Sequence, residues 1–495
     1  MPISKIKGNA IEDDAITSAR LDDGTIVAVD LASDSVTTAK IQDSAVTLAK
    51  LASDAQPTPT QVSDQDNTST GQFTLPAGTT AQRPGTSYTG AQRYNTDLSV
   101  MEYYDGSVWK KISSEIANLS SVSGILYVGI AGSGLTLTGS GFLSSNLVVN
   151  FAQSSDGIDE DVTVTPSSDT SATVTVPAAV YNNVTAGNAV TIKVTNSDLS
   201  QSSGVNITAV GLPSGGTITT DGDYRVHTFT STSNFVIPTG FSTTYDYLIV
   251  AGGGGGGGNQ GGGGGGAGGM VTASSQSLST GTYTATVGAG GAGSTSAPGA
   301  AANGNNSVFN STTVNGGGGG AVMQTSSPYG RSGNNGGSGG GASFWINSGS
   351  FSGGAGTSGQ GNNGGSATQG GPSGHNGGGG GGKSSAGSAA NSDSGGDGGA
   401  GAEWPTSSGN YYAGGGGGGC YYNGNTAGDG GIGGGGAGDR YEGVDPAGDG
   451  TQGSPGSGFV QDGYVNTGGG GGGGGSSVGA GASGIIIVRY DTTAL

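Results

Sequence analysis

The sequence has little of what an enzyme or an ordinary globular domain normally uses. Its single cysteine, Cys420, excludes an intrachain disulfide and a cluster of thiolate metal ligands. Charged residues make up 10% of the chain, against about 25% in ordinary domains. The net charge is −19 and there is no basic patch. Neither nucleic acid nor an anionic membrane surface is therefore an expected partner.

Segments that direct export or cross a membrane are also missing from the sequence pattern. Residues Met1 to Lys5 do not lead into the apolar stretch of a secretory signal. No run approaches the roughly 18 apolar residues of a membrane span. We therefore expect a protein that is made and assembled in a cytoplasm and that does not insert into membranes.

Aliphatic side chains are scarce in the C-terminal half, where glycine takes their place. Of the 112 glycines, 91 lie between Ala251 and Tyr490, whereas only 14 Ile, Leu, Val or Met residues lie between Gly252 and Gly484. So few apolar side chains cannot form a conventional core. This half is therefore either disordered or held together without side chains.

The first 55 residues repeat with a period of five. An aliphatic residue occupies every fifth position from Ile6 to Leu51. This period fits neither an α-helix nor a flat strand, but it suits a repetitive coil, either closed within one chain or wound from several. One chain has too few aliphatic side chains to hold a thin rod, so we predict a homotrimeric stalk over residues 1–55. The predicted trimer-core residues are Ile16, Leu21, Ile26, Leu31, Val36, Ile41, Val46 and Leu51.

Three further segments follow the stalk. Residues 56–78 are rich in Pro, Thr, Ser, Asp and Gln, which predicts a linker. Residues 79–114 predict a small β connector, because Asp105-Gly106 between two β-rich runs is typical of a hairpin turn. Residues 115–210 contain short alternating strands at the spacing of a β-sandwich.

The predicted tip domain, residues 211–495, has strands at both ends and seven glycine runs between them. The strand Tyr245–Ala251 leads into Gly252–Gly258, and the strand Gly484–Tyr490 ends the region. No Gly-X-Y register indicates collagen, and runs separated by aromatic segments are not typical of a flexible linker. We predict a bundle of polyglycine II helices, joined by lateral backbone hydrogen bonds, on a β-sandwich base.

Aromatic residues between the glycine runs are the candidate binding residues. Tyr and Trp among Gly, Ser and Asn form the composition of antibody binding surfaces, although these rings could also cover the ends of the bundle. We expect Phe344, Phe351 and Phe459 to be buried, and Trp404, Tyr411, Tyr412, Tyr421, Tyr422 and Tyr441 to be exposed. The candidate receptor-binding residues are Tyr329, Trp345, Trp404, Tyr411, Tyr412, Tyr421, Tyr422 and Tyr441.

No catalytic residue, cofactor or metal is predicted, and the chain is not expected to be an enzyme. His227 lies in a predicted strand and His375 in a glycine turn without an evident acidic partner. Acidic residues of the C-terminal half are scattered in turns rather than paired as in glycoside hydrolases. The turns that begin at Asp429 and Asp449 lack the nonapeptide spacing of calcium β-rolls.

Three motifs resemble known families. The stalk repeat Ile/Val-Thr-x-Ala-Lys/Arg-Ile/Leu is similar to the N-terminal shafts of tailed-phage tail fibres. Segments 135–142 and 191–196 resemble the IPT/TIG family of immunoglobulin-like domains. Segments 247–258 and 484–490 resemble glycine-rich phage tail proteins, among them the adhesins that tip the long tail fibres of T-even-like phages. In those adhesins the tip can be a separate chain, whereas here it is fused to the stalk.

The resemblances imply a mainly β protein of the virion: an elongated stalk, a small connector, an Ig-like sandwich and a polyglycine II tip. They imply a tail fibre that attaches the virion to its host by non-catalytic receptor binding. The implied partners are further copies of the chain, other virion tail proteins at the N-terminus, and a bacterial surface glycan or outer-membrane protein. The alternative is a purely structural appendage, such as a head or whisker fibre. An ice-binding protein ranks last, because it would need regular Thr or Ala rows and no stalk.

We expect a fragment of residues 1–113 to have the mass of a trimer in analytical ultracentrifugation, because the aliphatic side chains of one chain cannot bury themselves. Ile26→Asp should loosen this assembly, since it buries like charges against one another. The matched control Gln42→Asp lies outside the aliphatic register and should leave the mass unchanged. A monomeric mass for the unsubstituted fragment would contradict the trimeric stalk.

Overall fold

The structure is a computed structural model that describes residues 27, 75–85, 87–112, 116–131, 134–143, 146–197, 199–296, 299–324, 326, 330–345, 349–368, 375–422, 424–441, 462–475, 477–493 and 495. The predicted stalk, with its trimer-core residues Ile16 to Leu51, lies outside the described residues except for Val27. The chain divides into two compact units, Met1–Ile112 and Ser113–Leu495. Their described elements are almost entirely β, which confirms the predicted fold class. No helix in the described ranges is long and apolar enough to cross a membrane.

The first unit contains one small sheet with a charged group on its covered face. Its strands, in spatial order, are β1 (Ala77–Gly78), β2 (Gln92–Asn95), β3 (Val100–Tyr104) and β4 (Trp109–Ile112). The predicted hairpin joins β3 to β4, and the Asp105 carboxylate accepts a hydrogen bond of 2.8 Å from the Val108 amide. Glu102 is fully buried, with its Oε2 2.6 Å from Arg83. The hydrogen bond from Arg83, followed by that from Asn95, holds the pKa of Glu102 below its ordinary value.

Seven strands at the start of the second unit form a β-sandwich. The elements are β5 (Asn118–Ser123), β6 (Gly134–Ser140), β7 (Leu147–Gln153), β8 (Ile158–Val164), β9 (Ser171–Thr175), α1 (Ala178–Tyr181), β10 (Ala189–Thr195) and β11 (Val205–Thr208). One sheet has the order β5-β6-β9 and the other β11-β10-β7-β8. Alternate side chains of both sheets meet in one core, where Leu135 and Leu137 of β6 are buried together with Val149 and Phe151 of β7.

A five-stranded sheet is the base from which the glycine-rich chain leaves and to which it returns. Seven strands form this part of the chain, five of them in the base sheet. They are β12 (Thr217–Asp221), β13 (Tyr224–Phe229), β14 (Ser233–Ile237), β15 (Thr244–Val250), β16 (Met270–Ser277), β17 (Gly281–Ala285) and the last strand, β26 (Ile485–Asp491). The sheet order is β12-β13-β26-β15-β16, and β14 pairs with β17. Val250, where the chain leaves, pairs with Ile485, where it returns. Paired strands of one sheet thus flank the glycine region on both sides.

Short strands are interspersed among the glycine runs. They are β18 (Ser307–Phe309), β19 (Thr312–Val314), β20 (Gly330–Arg331), β21 (Ser343–Phe344), β22 (Ser350–Phe351), β23 (Ala367–Thr368), β24 (Ala402–Glu403) and β25 (Tyr411–Tyr412). They form hairpin pairs of consecutive strands.

The core of the base is aromatic. Phe235 contacts Tyr245 and Phe309 edge-on, with ring centroids 5.8 and 6.2 Å apart, and Tyr245 contacts Tyr490 at 5.6 Å. Edge-to-face geometry of this kind adds to the stabilisation from burial alone. His227 is fully buried in this core and its Nδ1 lies 2.8 Å from the Gly215 carbonyl oxygen. Its role here is structural.

The glycine runs are joined by lateral backbone hydrogen bonds with a period of three residues. Successive amides of Gly414–Gly419 donate, at 2.8–3.0 Å, to segments 433–436, 396–399 and 262–265 in rotation. The carbonyls of the same run accept from three other segments, 428–431, 377–380 and 470–473. This run therefore has six neighbours, and residues three apart face the same one. This is the repeat of a helix with three residues per turn and no internal hydrogen bonds.

The run Gly252–Gly258 has the same pattern. The amides of Gly252–Gly257 donate in rotation to segments 302–305, 479–482 and 263–266, and their carbonyls accept from segments 317–320, 291–294 and 471–474. Runs from distant parts of the sequence thus form one lattice, and the predicted polyglycine II bundle is confirmed.

Close packing leaves no room for a side chain inside the lattice. A Cβ atom on Gly416 or Gly417 would meet the carbonyl oxygen of Gly471 or Gly428 far inside contact distance. On Gly299, at the margin, the nearest atom to such a Cβ would be 3.6 Å away. The need for glycine is therefore steric, and it depends on the position within the lattice.

Asparagine side chains complete the lattice where a run lacks a neighbour. The side-chain oxygens of Asn306 and Asn303 each accept a hydrogen bond of 2.9 Å, from the amides of Gly316 and Gly319 respectively. Asn335 accepts one of 2.7 Å from Ala355. Side-chain carbonyls thereby replace missing backbone carbonyls, so amides near the surface remain paired.

We expect Gly417→Ala to destabilise the second unit by about 3 kcal/mol. The new methyl group would collide with a neighbouring run, and that run cannot shift alone because it is hydrogen-bonded to other runs. Gly299→Ala is the matched control, since its new methyl group makes an ordinary contact, and it should change stability by less than about 0.5 kcal/mol. Thermal unfolding followed by calorimetry measures both variants. Equal melting temperatures for the two would show that the lattice does not constrain Gly417.

Candidate binding site

The candidate aromatic residues fall into two groups at opposite ends of the run Gly414–Gly419. A run of this length spans about 19 Å. Before its first residue, Trp404 and Tyr412 lie against the base sheet; after its last residue, Tyr421 and Tyr422 lie at the far end. The two groups thus have different surroundings.

The group next to the sheet is part of the core. Trp404 is 9% and Tyr412 4% exposed, and both pack with Leu248 and Ile487. The Arg489 guanidinium lies 5.1 Å from the centroid of the Trp404 ring. The predicted exposure of Trp404 and Tyr412 is therefore wrong: at this end of the run the sheet offers an apolar surface, and the rings cover it.

At the far end, five rings form a group that we name the distal aromatic cluster: Trp345, His375, Tyr421, Tyr422 and Tyr441. The Trp345 indole stacks on His375 with centroids 4.3 Å apart and planes 15° apart. His375 also lies 5.3 Å from Tyr421 and 5.1 Å from Tyr422, and Tyr421 stacks on Tyr441 at 5.1 Å. Tyr441 is 43% exposed, whereas Trp345, Tyr421 and Tyr422 are half-buried.

The ends of neighbouring runs bring these residues together. His375 lies two residues before the run Gly377–Gly382, whose first amide donates to the carbonyl of Gly419 at 2.8 Å. Gly419 leads through the buried Cys420 into Tyr421, and the Tyr441 amide donates to the Cys420 carbonyl at 2.9 Å. Because each run is fixed in the lattice, the rings at its end are held in place by backbone contacts.

His375 is the unusual member of the cluster. It is 3% exposed, and neither ring nitrogen has a hydrogen-bond partner within the described part of the chain. Burial lowers the pKa of His375, because it penalises the charged imidazolium. A buried polar group without a partner typically costs about 1–3 kcal/mol of stability. Sequence reasoning missed this residue, because nothing near it in the sequence indicates the rings that surround it.

The remaining candidates are dispersed. Tyr329 and Phe459 lie outside the described residues, and Tyr411 is half-buried in β25. Phe344 is 1% exposed, as predicted, whereas Phe351 is only half-buried. Phe344 packs on Phe351 at 6.4 Å in a small separate core.

A concave surface lies on the flank of the glycine lattice. It has a volume of about 430 Å³ and is lined by glycines together with Ala355, Asn303, Asn306, Asn315, Asn335 and Thr357. Among its described lining residues there is no aromatic ring and no charge. No group of three or more His, Cys, Asp or Glu side chains in the described ranges is arranged to hold a metal ion.

The depressed pKa of His375 predicts a pH dependence of stability. The unfolded chain binds a proton at this residue near pH 6.5, whereas the folded chain does so only at lower pH. The free energy of unfolding therefore keeps its full value above about pH 6.5 and falls as the pH is lowered through that value. His375→Phe keeps an aromatic ring at this position and removes the titrating group. As the pH is lowered from 7 to 5, the melting temperature of the variant should therefore rise relative to that of the parent. A constant difference across this range would show that His375 titrates normally.

Comparison with known sequences agrees with this architecture. The profile of a family described as a glycine-rich domain matches residues 227–491, from β13 to the last strand. No curated protein matches the chain. The matched region contains most of the base sheet, the glycine lattice and the distal aromatic cluster and covers more than half of the sequence, so the chain belongs to the glycine-rich domain family.

Proposed function

We propose that this protein is a bacteriophage tail fibre whose glycine-rich domain attaches the virion to its host through the distal aromatic cluster. The observation that carries the proposal is the position of the cluster, at the end of the glycine lattice that faces away from the base sheet. Half-buried tyrosine and tryptophan rings provide large, rigid contact area at low entropic cost. The glycine lattice serves as a stiff support that presents them.

The rest of the chain fits a fibre that binds without catalysis. The pentad repeats are proposed to form a trimeric stalk, whose N-terminus joins other virion tail proteins. The sandwich of β5–β11 resembles Ig-like domains and is proposed to act as a spacer. The proposed receptor is a glycan or an outer-membrane protein of the bacterial surface.

We expect the double variant Tyr421→Ala/Tyr422→Ala to lower the adsorption rate of particles on host cells by about tenfold or more, since central aromatic residues dominate binding energy at interfaces. The matched control is Tyr464→Ala. Tyr464 is 51% exposed in the same domain, and its amide donates to Gly434, toward the sheet end of the lattice. Electron microscopy of the particles confirms that the fibres of each variant are assembled.

Unchanged adsorption of the double variant would favour the alternative function, a structural appendage without receptor recognition. A loss of adsorption in the Tyr464→Ala control as well would point to a general defect of the tip rather than to a binding site.

A further inference from the structure

The distal aromatic cluster combines stacking surfaces with one buried hydrogen-bonding group. Trp345, Tyr421 and Tyr422 are half-buried, so each keeps part of its surface in solvent. Beneath the indole lies the His375 imidazole, both of whose nitrogens are buried without a partner. Buried polar atoms in folded proteins are normally hydrogen-bonded, so an orphan beside accessible aromatic rings indicates a group that a ligand completes.

The protonation state of this group restricts the ligand. A neutral imidazole has one donor and one acceptor nitrogen, and burial keeps His375 neutral at physiological pH. A hydroxyl group can both accept and donate a hydrogen bond, so it satisfies either nitrogen. A carboxylate or a phosphate accepts only, so it can satisfy a donor nitrogen but not an acceptor nitrogen.

Charge argues in the same direction. The chain has a net charge of −19, and the arginine next to the cluster, Arg440, donates a hydrogen bond to the Asn425 carbonyl at 3.3 Å. An anionic ligand would therefore approach against the field of the protein. The class of ligand that fits the cluster best is therefore uncharged, with an apolar face for stacking and hydroxyl groups at its rim.

We propose that the distal aromatic cluster binds an uncharged saccharide, with one sugar ring stacked on Trp345 and one sugar hydroxyl hydrogen-bonded to His375. The inference rests on the proposed function for its location and adds the chemical class of the receptor. In the free protein the indole lies 4.3 Å from the imidazole, so the hydroxyl reaches His375 when the indole tilts onto the sugar. Binding therefore changes the surroundings of Trp345.

The direct test uses the full-length assembled protein on an array of neutral and acidic bacterial surface oligosaccharides. Neutral oligosaccharides that bind are then titrated, with the fluorescence of the tryptophans as the signal. We expect binding of at least one neutral oligosaccharide, with a change in fluorescence that is absent in Trp345→Phe. Trp345→Ala should weaken this binding by about tenfold or more.

Two substitutions of His375 separate hydrogen bonding from packing. His375→Phe fills the same space and removes the orphan polar atoms, so it should fold at least as well as the parent but bind about tenfold more weakly. His375→Gln retains a donor and an acceptor and should recover part of the loss. Asn306→Ala, in the asparagine-lined groove on the flank, is the matched control and should bind like the parent.

Binding of acidic oligosaccharides alone, or equal affinity of His375→Phe and the parent, would overturn the proposal. So would an affinity that falls in Asn306→Ala but not in Trp345→Ala, because the sugar would then occupy the groove. If no oligosaccharide binds while the Tyr421→Ala/Tyr422→Ala particles lose adsorption, the receptor is a protein: this inference fails and the proposed function stands. If a neutral oligosaccharide binds as expected but adsorption is unaffected, the saccharide site stands and the proposed function fails.

Discussion

The glycine-rich half of this protein depends on lateral hydrogen bonds between backbones that no side chain separates. Glycine loses more conformational entropy on folding than any other residue, so an isolated run would not stay ordered. Six neighbouring segments supply partners for every amide and carbonyl of Gly414–Gly419. The arrangement is cooperative, because removing this run would leave unpaired groups on all six. It also requires the base sheet, since the pairing of Val250 with Ile485 holds the two ends of the region together.

A lattice without side chains determines where binding chemistry can lie. Inside it, a Cβ would collide with backbone, so large side chains are confined to the ends and margins. At the sheet end, Trp404 and Tyr412 cover an apolar surface. At the opposite end, Trp345, His375, Tyr421, Tyr422 and Tyr441 contact one another instead. The same residue types thus form core at one end and a candidate binding surface at the other.

Much of the fold could be predicted from the sequence, because its signals are local. The strand that precedes Gly252, the strand at Gly484–Tyr490 and the Asp105-Gly106 hairpin all follow from alternation or turn chemistry. Strands β5, β11 and β16 give weaker signals, because they are short or rich in polar, partly exposed residues. The exposure of Trp404 and Tyr412, and the environment of His375, could not be predicted, because they depend on which end of a run meets the sheet. That outcome is set by contacts between residues distant in the sequence, such as Trp404 with Leu248 and His375 with Trp345.

Hydrogen–deuterium exchange of the peptide that contains Gly414–Gly419 tests the central claim most directly. These amides each donate to a neighbouring run and are buried, so they should exchange only through cooperative opening of the lattice, many orders of magnitude more slowly than an unfolded chain. Exchange at the rate of an unstructured glycine peptide would contradict the account, because the runs would then be linkers and the aromatic cluster would have no support.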